Sequence, residues 1–200
     1  IVPWPAGGST DTIARVIGQR MTTIAGQQVV IDNRGGAAGT IGANIAAKAS
    51  PDGYTLVIVE GSHIVMQVTT ALEYHLARDF APLTMVGVSP FVLFMHGGLP
   101  AKSLADFIAT AKAKPGLVPA AHTGVGSFTH LTLEMLQTRA GVKFNQVSYK
   151  GAAPAVIDLA SGEVHLYTAT YASGASMLRT GRIRVIAVAS EKRMAVLPDV

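Results

Sequence analysis

The sequence predicts an α/β protein built as two similar halves. Three observations carry this. Short apolar stretches of strand length alternate with helix-patterned stretches, an order that argues for a mainly parallel sheet covered on both faces. Loops of Gly, Ser, Thr or Lys recur where strands give way to helices, two in each half. An apolar fraction of 49% against 14% charged residues is enough for filled cores and too apolar for a disordered chain.

Taken in order, Ile1-Val2 runs into Pro3-Trp4-Pro5-Ala6-Gly7-Gly8, and a helix pattern follows with Ile13, Val16, Ile17, Met21 and Ile24 on one side. Ser9 or Thr10 is a natural N-cap, and Asp11 suits the positive end of the helix. Gly7 and Gly8 remove side chains where the first amides point outward, which makes a place for an anion. Gly26 ends the pattern, and Gln28–Asp32 reads as a short buried strand. Asn33 to Thr40 is the next loop, followed by a small-residue helix from Ile41 to Ala49. After the Pro51-Asp52-Gly53 turn, Tyr54–Val59 is a third strand whose polar end is Glu60-Gly61-Ser62-His63. Residues 64 to 85 are irregular and lead into Thr84–Val88.

Phe91–Met95 is a strand, and His96-Gly97-Gly98-Leu99-Pro100 marks the boundary between the halves. Ser103 caps a helix through Lys112 that stops at Pro115-Gly116. A weak strand, Leu117–Ala121, leads to His122-Thr123-Gly124-Val125-Gly126-Ser127 and a helix from Phe128 to Arg139. Strand Phe144–Val147 leads to the loop Ser148 to Pro154 and a helix to Ala160. Val164–Tyr167 is a strand with Thr168 to Ser173 as its loop, and Arg184–Ala189 is the last strand. In open α/β sheets ligands bind at the carboxyl ends of strands, where all four polar loops fall.

Zero cysteines exclude disulfides, thiolate metal sites and cysteine nucleophiles. The net charge of +4 is spread out, with no basic run interleaved with aromatics, so nucleic acid is not the expected partner. A mild positive field suits an anionic small molecule. No stretch approaches the roughly 20 apolar residues of a membrane span. Ile1 reads as mid-strand, so the chain is expected to start after a removed or unrecorded leader.

The loop Gly124-Val125-Gly126-Ser127 lacks the Gly-Lys-Ser/Thr of a nucleotide-triphosphate loop. Ser127 is not in a nucleophile elbow, and no acid completes a triad with His130. Ser127 as N-cap and anion donor is the simpler role, and His130 either orients that loop or packs. The six histidines show no i, i+4 pair among themselves, so no metal site is expected. Lys150 and Arg34 are the only basic side chains in the Gly loops; each either faces an anion or is simply solvated. Gly36-x-x-Gly39-x-x-Gly42 with Glu60 mimics a dinucleotide fingerprint, which keeps an NAD(P)-dependent oxidoreductase as the enzyme alternative.

A family resemblance rests on Pro3-Trp4-Pro5-Ala6-Gly7-Gly8-Ser9-Thr10-Asp11, Asn33-Arg34-Gly35-Gly36-Ala37-Ala38-Gly39-Thr40-Ile41-Gly42 and Pro51-Asp52-Gly53-Tyr54-Thr55-Leu56. It continues through Asp79-Phe80-Ala81-Pro82, Pro100-Ala101-Lys102-Ser103, Gly124-x-Gly126-Ser127-x-x-His130-Leu131, Tyr149-Lys150-Gly151 and Leu197-Pro198-Asp199-Val200. Together, in order over the whole chain, they resemble the extracytoplasmic solute-binding proteins of tripartite tricarboxylate transporters, the Bug-type or TctC-like receptors.

The resemblance implies a two-lobed periplasmic binding protein of type II, a Venus flytrap, that captures a small carboxylate for membrane permease subunits. It implies no catalysis, no cofactor and no metal, a periplasmic location and a monomer. Lobe one is expected over 1–97 and lobe two over 98–189, with 190–200 returning towards lobe one and the C-terminal part of lobe one missing. Hinge strands are expected near Phe91–Met95 and Arg184–Ala189. With the reading of the residues, it names Ala6, Gly7, Gly8, Ser9, Thr10 and Ser62 from one lobe. Gly126, Ser127, His130, Lys150, Gly151 and Thr168 come from the other. Two departures stand out: Tyr167-Thr168 replaces the family's common Phe-Asp, which disfavours amino-acid ligands, and Glu60 is charged where a small polar residue is usual. A ligand sensor for a signalling system is the third reading.

Overall fold

In the computed structural model, which describes residues 1–200, the apolar stretch Phe91–Met95 becomes an inner strand of a five-stranded sheet. Strands β1 (Phe91–His96), β2 (Pro119–His122), β3 (Asn145–Ser148), β4 (Leu166–Thr170) and β5 (Ile183–Val188) lie in the order β3-β2-β4-β1-β5. β2 pairs parallel with β3 and β4, whereas β1 runs antiparallel to both β4 and β5. The sheet is therefore mixed, with one reversed strand near its middle. β1 precedes the expected boundary at residue 97, yet both its partners come from the second half.

The strand period of two distributes side chains to two cores. Val92, Phe94, Tyr167 and Ala169 face one side, where α7 (Ala152–Ser161) contributes Ala155, Val156 and Leu159, and α8 (Tyr171–Leu178) contributes Met177 and Leu178. Leu93, Met95 and Leu166 face the other side, against Phe107 and Ala111 of α5 (Leu104–Ala113) and Leu133 of α6 (Phe128–Ala140). Both faces are covered, as expected of an α/β layer.

The first lobe is built differently. α1 (Ser9–Ala25) ends where Gly26 takes a left-handed conformation, and Gly8, not Ser9 or Thr10, is its N-cap. Its buried stripe is Asp11, Ala14 and Gly18. A Cβ on Gly18 would lie 3.0 Å from the Ile31 side chain, so the helix meets residues 29–31 through its smallest side chains. The apolar stripe that sequence periodicity assigns to a core lies instead towards solvent, with Val16 65% and Ile24 73% exposed.

The expected strands Gln28–Asp32 and Tyr54–Val59 do not form. Residues 1–2 do lie between these segments: the Val2 amide donates to Asp32 O at 2.8 Å, and the Ile58 amide to Ile1 O at 3.3 Å. Only the single parallel bridge Val2–Asn33 results, too short a ladder for a strand. A small cluster of Val2, Trp4, Ala14, Ala38 and Met66 is the core of this lobe. The remaining helices here are α2 (Thr40–Ala47), α3 (Gly61–Thr69) and α4 (Leu76–Asp79); α3 begins in the polar end assigned to the third strand and runs, with α4, through the stretch expected to be irregular. None of the helices is long and apolar enough to cross a membrane.

Candidate functional site

The two lobes meet through loops with almost no side chains. Pro5 is wedged between Gly35 of its own lobe and Gly151 of the other: a Cβ on Gly35 would lie 2.7 Å from the Pro5 ring, and one on Gly151 2.8 Å. Beside this wedge, a Cβ on Gly7 or Gly8 would sit 3.7 or 3.9 Å from Ala153 or Ala152. The first turn of α1 thus faces the first turn of α7. Ser173, in the first turn of α8, approaches Ser9 at 3.5 Å between hydroxyl oxygens. Three helix N-termini converge, and their leading amides lack intrahelical acceptors by construction. Their partial positive charges point at one place.

Several residues named from the sequence stand in this cleft: Gly8, Ser9, Thr10 and Gly151, with Ala6 and Gly7 exposed at its edge. The Gly7 amide is already committed to Asp11 Oδ2 at 2.9 Å. Asp11 also takes Arg15 Nε and Asn33 Nδ2, each at 3.0 Å. Burial raises its pKa, but bonds from Arg15, Gly7 and Asn33 outweigh that and hold the carboxyl below its ordinary range. Asp11 is thus the brace of the Pro5–Ser9 loop.

Other named residues support the walls. Ser62 is buried and accepts the Phe128 amide at 3.0 Å, a bond across the lobes. Ser127 is fully buried; it caps α6 by accepting the His130 amide at 3.2 Å and bonds Thr129 Oγ1 at 2.9 Å. Thr168 is buried and donates to Thr129 O at 3.2 Å. A Cβ on Gly126 would strike Met66 Sδ at 2.5 Å, and the Gly126 amide goes to His130 Nδ1 at 3.3 Å. The His122 and His130 rings lie 4.7 Å apart, and His122 Nδ1 takes the Gly124 amide. Burial lowers the His122 pKa, with the charge of His130 adding to it. Lys150 is exposed. No cluster of three metal-ligating side chains occurs.

The dinucleotide alternative fails on space. A Cβ on Gly42 would lie 2.6 Å from Arg34 O and 2.8 Å from Pro3 Cα, so the glycines of this loop pack on protein. Glu60 does not face that loop. Its Oε1 accepts Thr10 Oγ1 at 3.0 Å, and its side chain also takes the His63 amide in a capping box at the start of α3. The α8 N-terminus escaped the sequence reading, since Thr168 to Ser173 was read as a loop; the run Ala172-Ser173-Gly174-Ala175-Ser176 has no apolar periodicity to betray a helix.

The family model of the tripartite tricarboxylate transporter family receptor, TctC, matches residues 13–200. Protein BugT of Bordetella pertussis is 38% identical over 203 aligned residues, covering 100% of this chain and 62% of that protein. The chain therefore spans about three fifths of the length of such relatives. A structure described as a periplasmic transporter superposes with a TM-score of 0.95 at 36% identity, over 100% of this chain and 68% of that one. Rpa4515 of R. palustris with adipate gives 0.91 at 38%, over 96% and 65%. MatC of Rhodopseudomonas palustris with bound malate gives 0.91 at 30%, over 100% and 69%.

Proposed function

The chain belongs to the tripartite tricarboxylate transporter receptor family, and from that premise we propose that it captures a small carboxylate between its two lobes for delivery to a membrane permease. The family is one of binding receptors with the periplasmic-binding-protein fold, and relatives in it are periplasmic and carry adipate or malate. The observation that carries the reading for this chain is the convergence of the α1, α7 and α8 first turns at Gly8–Thr10, Gly151–Ala153 and Tyr171–Ser173. Backbone amides from both lobes grip the ligand carboxylate, and the same contact holds the lobes together. Gly8, Ser9, Thr10 and Gly151 are the direct contacts, while Ser62, Ser127, His130 and Thr168 shape the walls. The protein acts in the periplasm, as a monomer.

Trp4 tests this. It is the only tryptophan, it is buried, and it sits one residue before the Pro5 wedge. Titration with mono-, di- and tricarboxylates and their amides is expected to change its emission saturably for an acid and not for the matching amide. A folded chain whose emission ignores every acid would refute the receptor reading.

A further inference from the structure

One charged group in the cleft is left without a role by anion capture. Glu60 presents a carboxylate beside converging helix N-termini, where a second bare carboxylate must bind. Resting on the receptor reading above, we propose that Glu60 is the specificity-determining residue of the cleft. It accepts a hydrogen bond from a hydroxyl or ammonium group that the ligand carries next to its carboxylate.

The geometry argues this in steps. A helix N-cap favours short side chains such as Ser, Thr, Asp and Asn. Glu60 caps α3 with a longer arm, and the extra reach takes it across to Thr10 in the first turn of α1. There it holds two donors, the Thr10 hydroxyl and the His63 amide, whereas an ionised carboxylate has about four acceptor positions. No Lys or Arg pairs with it. Burial accordingly raises its pKa despite bonding to Thr10 and the proximity of Trp4.

A neighbouring donor of its own lobe is unfilled as well. Trp4 Nε1 lies buried near this carboxyl and completes no hydrogen bond. From lobe two, burial and then the Glu60 charge raise the pKa of the buried Tyr167 phenol. A carboxylate short of donors, placed within one hydrogen bond of the α1 first turn, favours a ligand whose donor lies close to its own carboxylate. It disfavours one that brings negative charge alone. Thr168 supplies no carboxylate to such a donor, being bound to Thr129 O. Glu60 supplies it from the opposite lobe.

Calorimetric titration of the chain and of Glu60→Gln with succinate, malate and aspartate separates the outcomes. Malate or aspartate is expected to bind about tenfold tighter than succinate, the scale of one charge-assisted hydrogen bond. Preference for malate identifies a hydroxyl donor, and preference for aspartate an ammonium. Glu60→Gln keeps an acceptor for Thr10 and His63, so the fold is retained. It is expected to erase the preference by weakening the donor-bearing ligand, while succinate binds as before or tighter. Succinate binding as tightly as the other two, or a variant that shifts all three alike, overturns the proposal and leaves the receptor reading standing. Failure of every carboxylate to bind overturns both.

Discussion

Asp11 shows how much of the cleft depends on one side chain. It is 3% exposed and ties Gly7 to Arg15 and Asn33. Asp11→Asn is expected to cost about 2 kcal/mol, the worth of hydrogen bonds to a buried charge, read as a lowered urea midpoint. Its folded pKa is depressed, so its contribution is full above the unfolded value near pH 4 and is lost as pH falls through the depressed range. The wild-type midpoint should fall with acidification below about pH 4, and the variant should lose part of that dependence. Asp11 was legible in the sequence only as a favourable first-turn charge. Its brace role depends on Asn33, 22 residues away, which no helix pattern reports.

At the scale of elements, the loop before α6 depends on a neutral imidazole. His122 accepts the Gly124 amide through Nδ1, and a protonated ring accepts nothing there. The folded pKa of His122 is lowered, as is that of buried His63. Their contribution is present above about pH 6.5 and is lost as pH falls below it. Unfolding midpoints at pH 7.5 and 5.5 should show the drop, and His122→Gln should flatten it. α5, α6 and β1 are readable because each has its own signal: Ser103 and Ser127 are side-chain caps, and Phe91–Met95 is an unbroken apolar run. The first-half strands were misread because apolar content signals the wish for a ladder, not its partners. Val30 and Tyr54 are exposed where a completed sheet would bury one face.

For the whole molecule, the sequence announced two α/β units and polar loops meeting between them, but not how the lobes touch. That lies in distances between Pro5, Gly35 and Gly151, residues that would pass for ordinary turn formers. Gly151 has φ 164°, extended backbone open to any residue, so a side chain there acts only by colliding with Pro5. Gly151→Val is expected to hold the lobes apart. X-ray scattering should give a larger radius of gyration, and carboxylate affinity should fall about tenfold, the scale of an overpacked contact. The segments leading into β1 and out of β5 run side by side, joined by the Ala189 amide to Phe91 O at 2.7 Å.

Across the cleft itself only two side-chain hydrogen bonds run, Phe128 N to Ser62 Oγ and Ser173 Oγ to Ser9 Oγ, the second at 3.5 Å. At about 1 kcal/mol each, they amount to a weak latch. In the receptor proposed above, hydrogen bonding between the lobes therefore does little of the closing, and a bound ligand supplies the bolt. Such a device would behave as a turnstile rather than a vault, with dwell time set by the grip of its passenger.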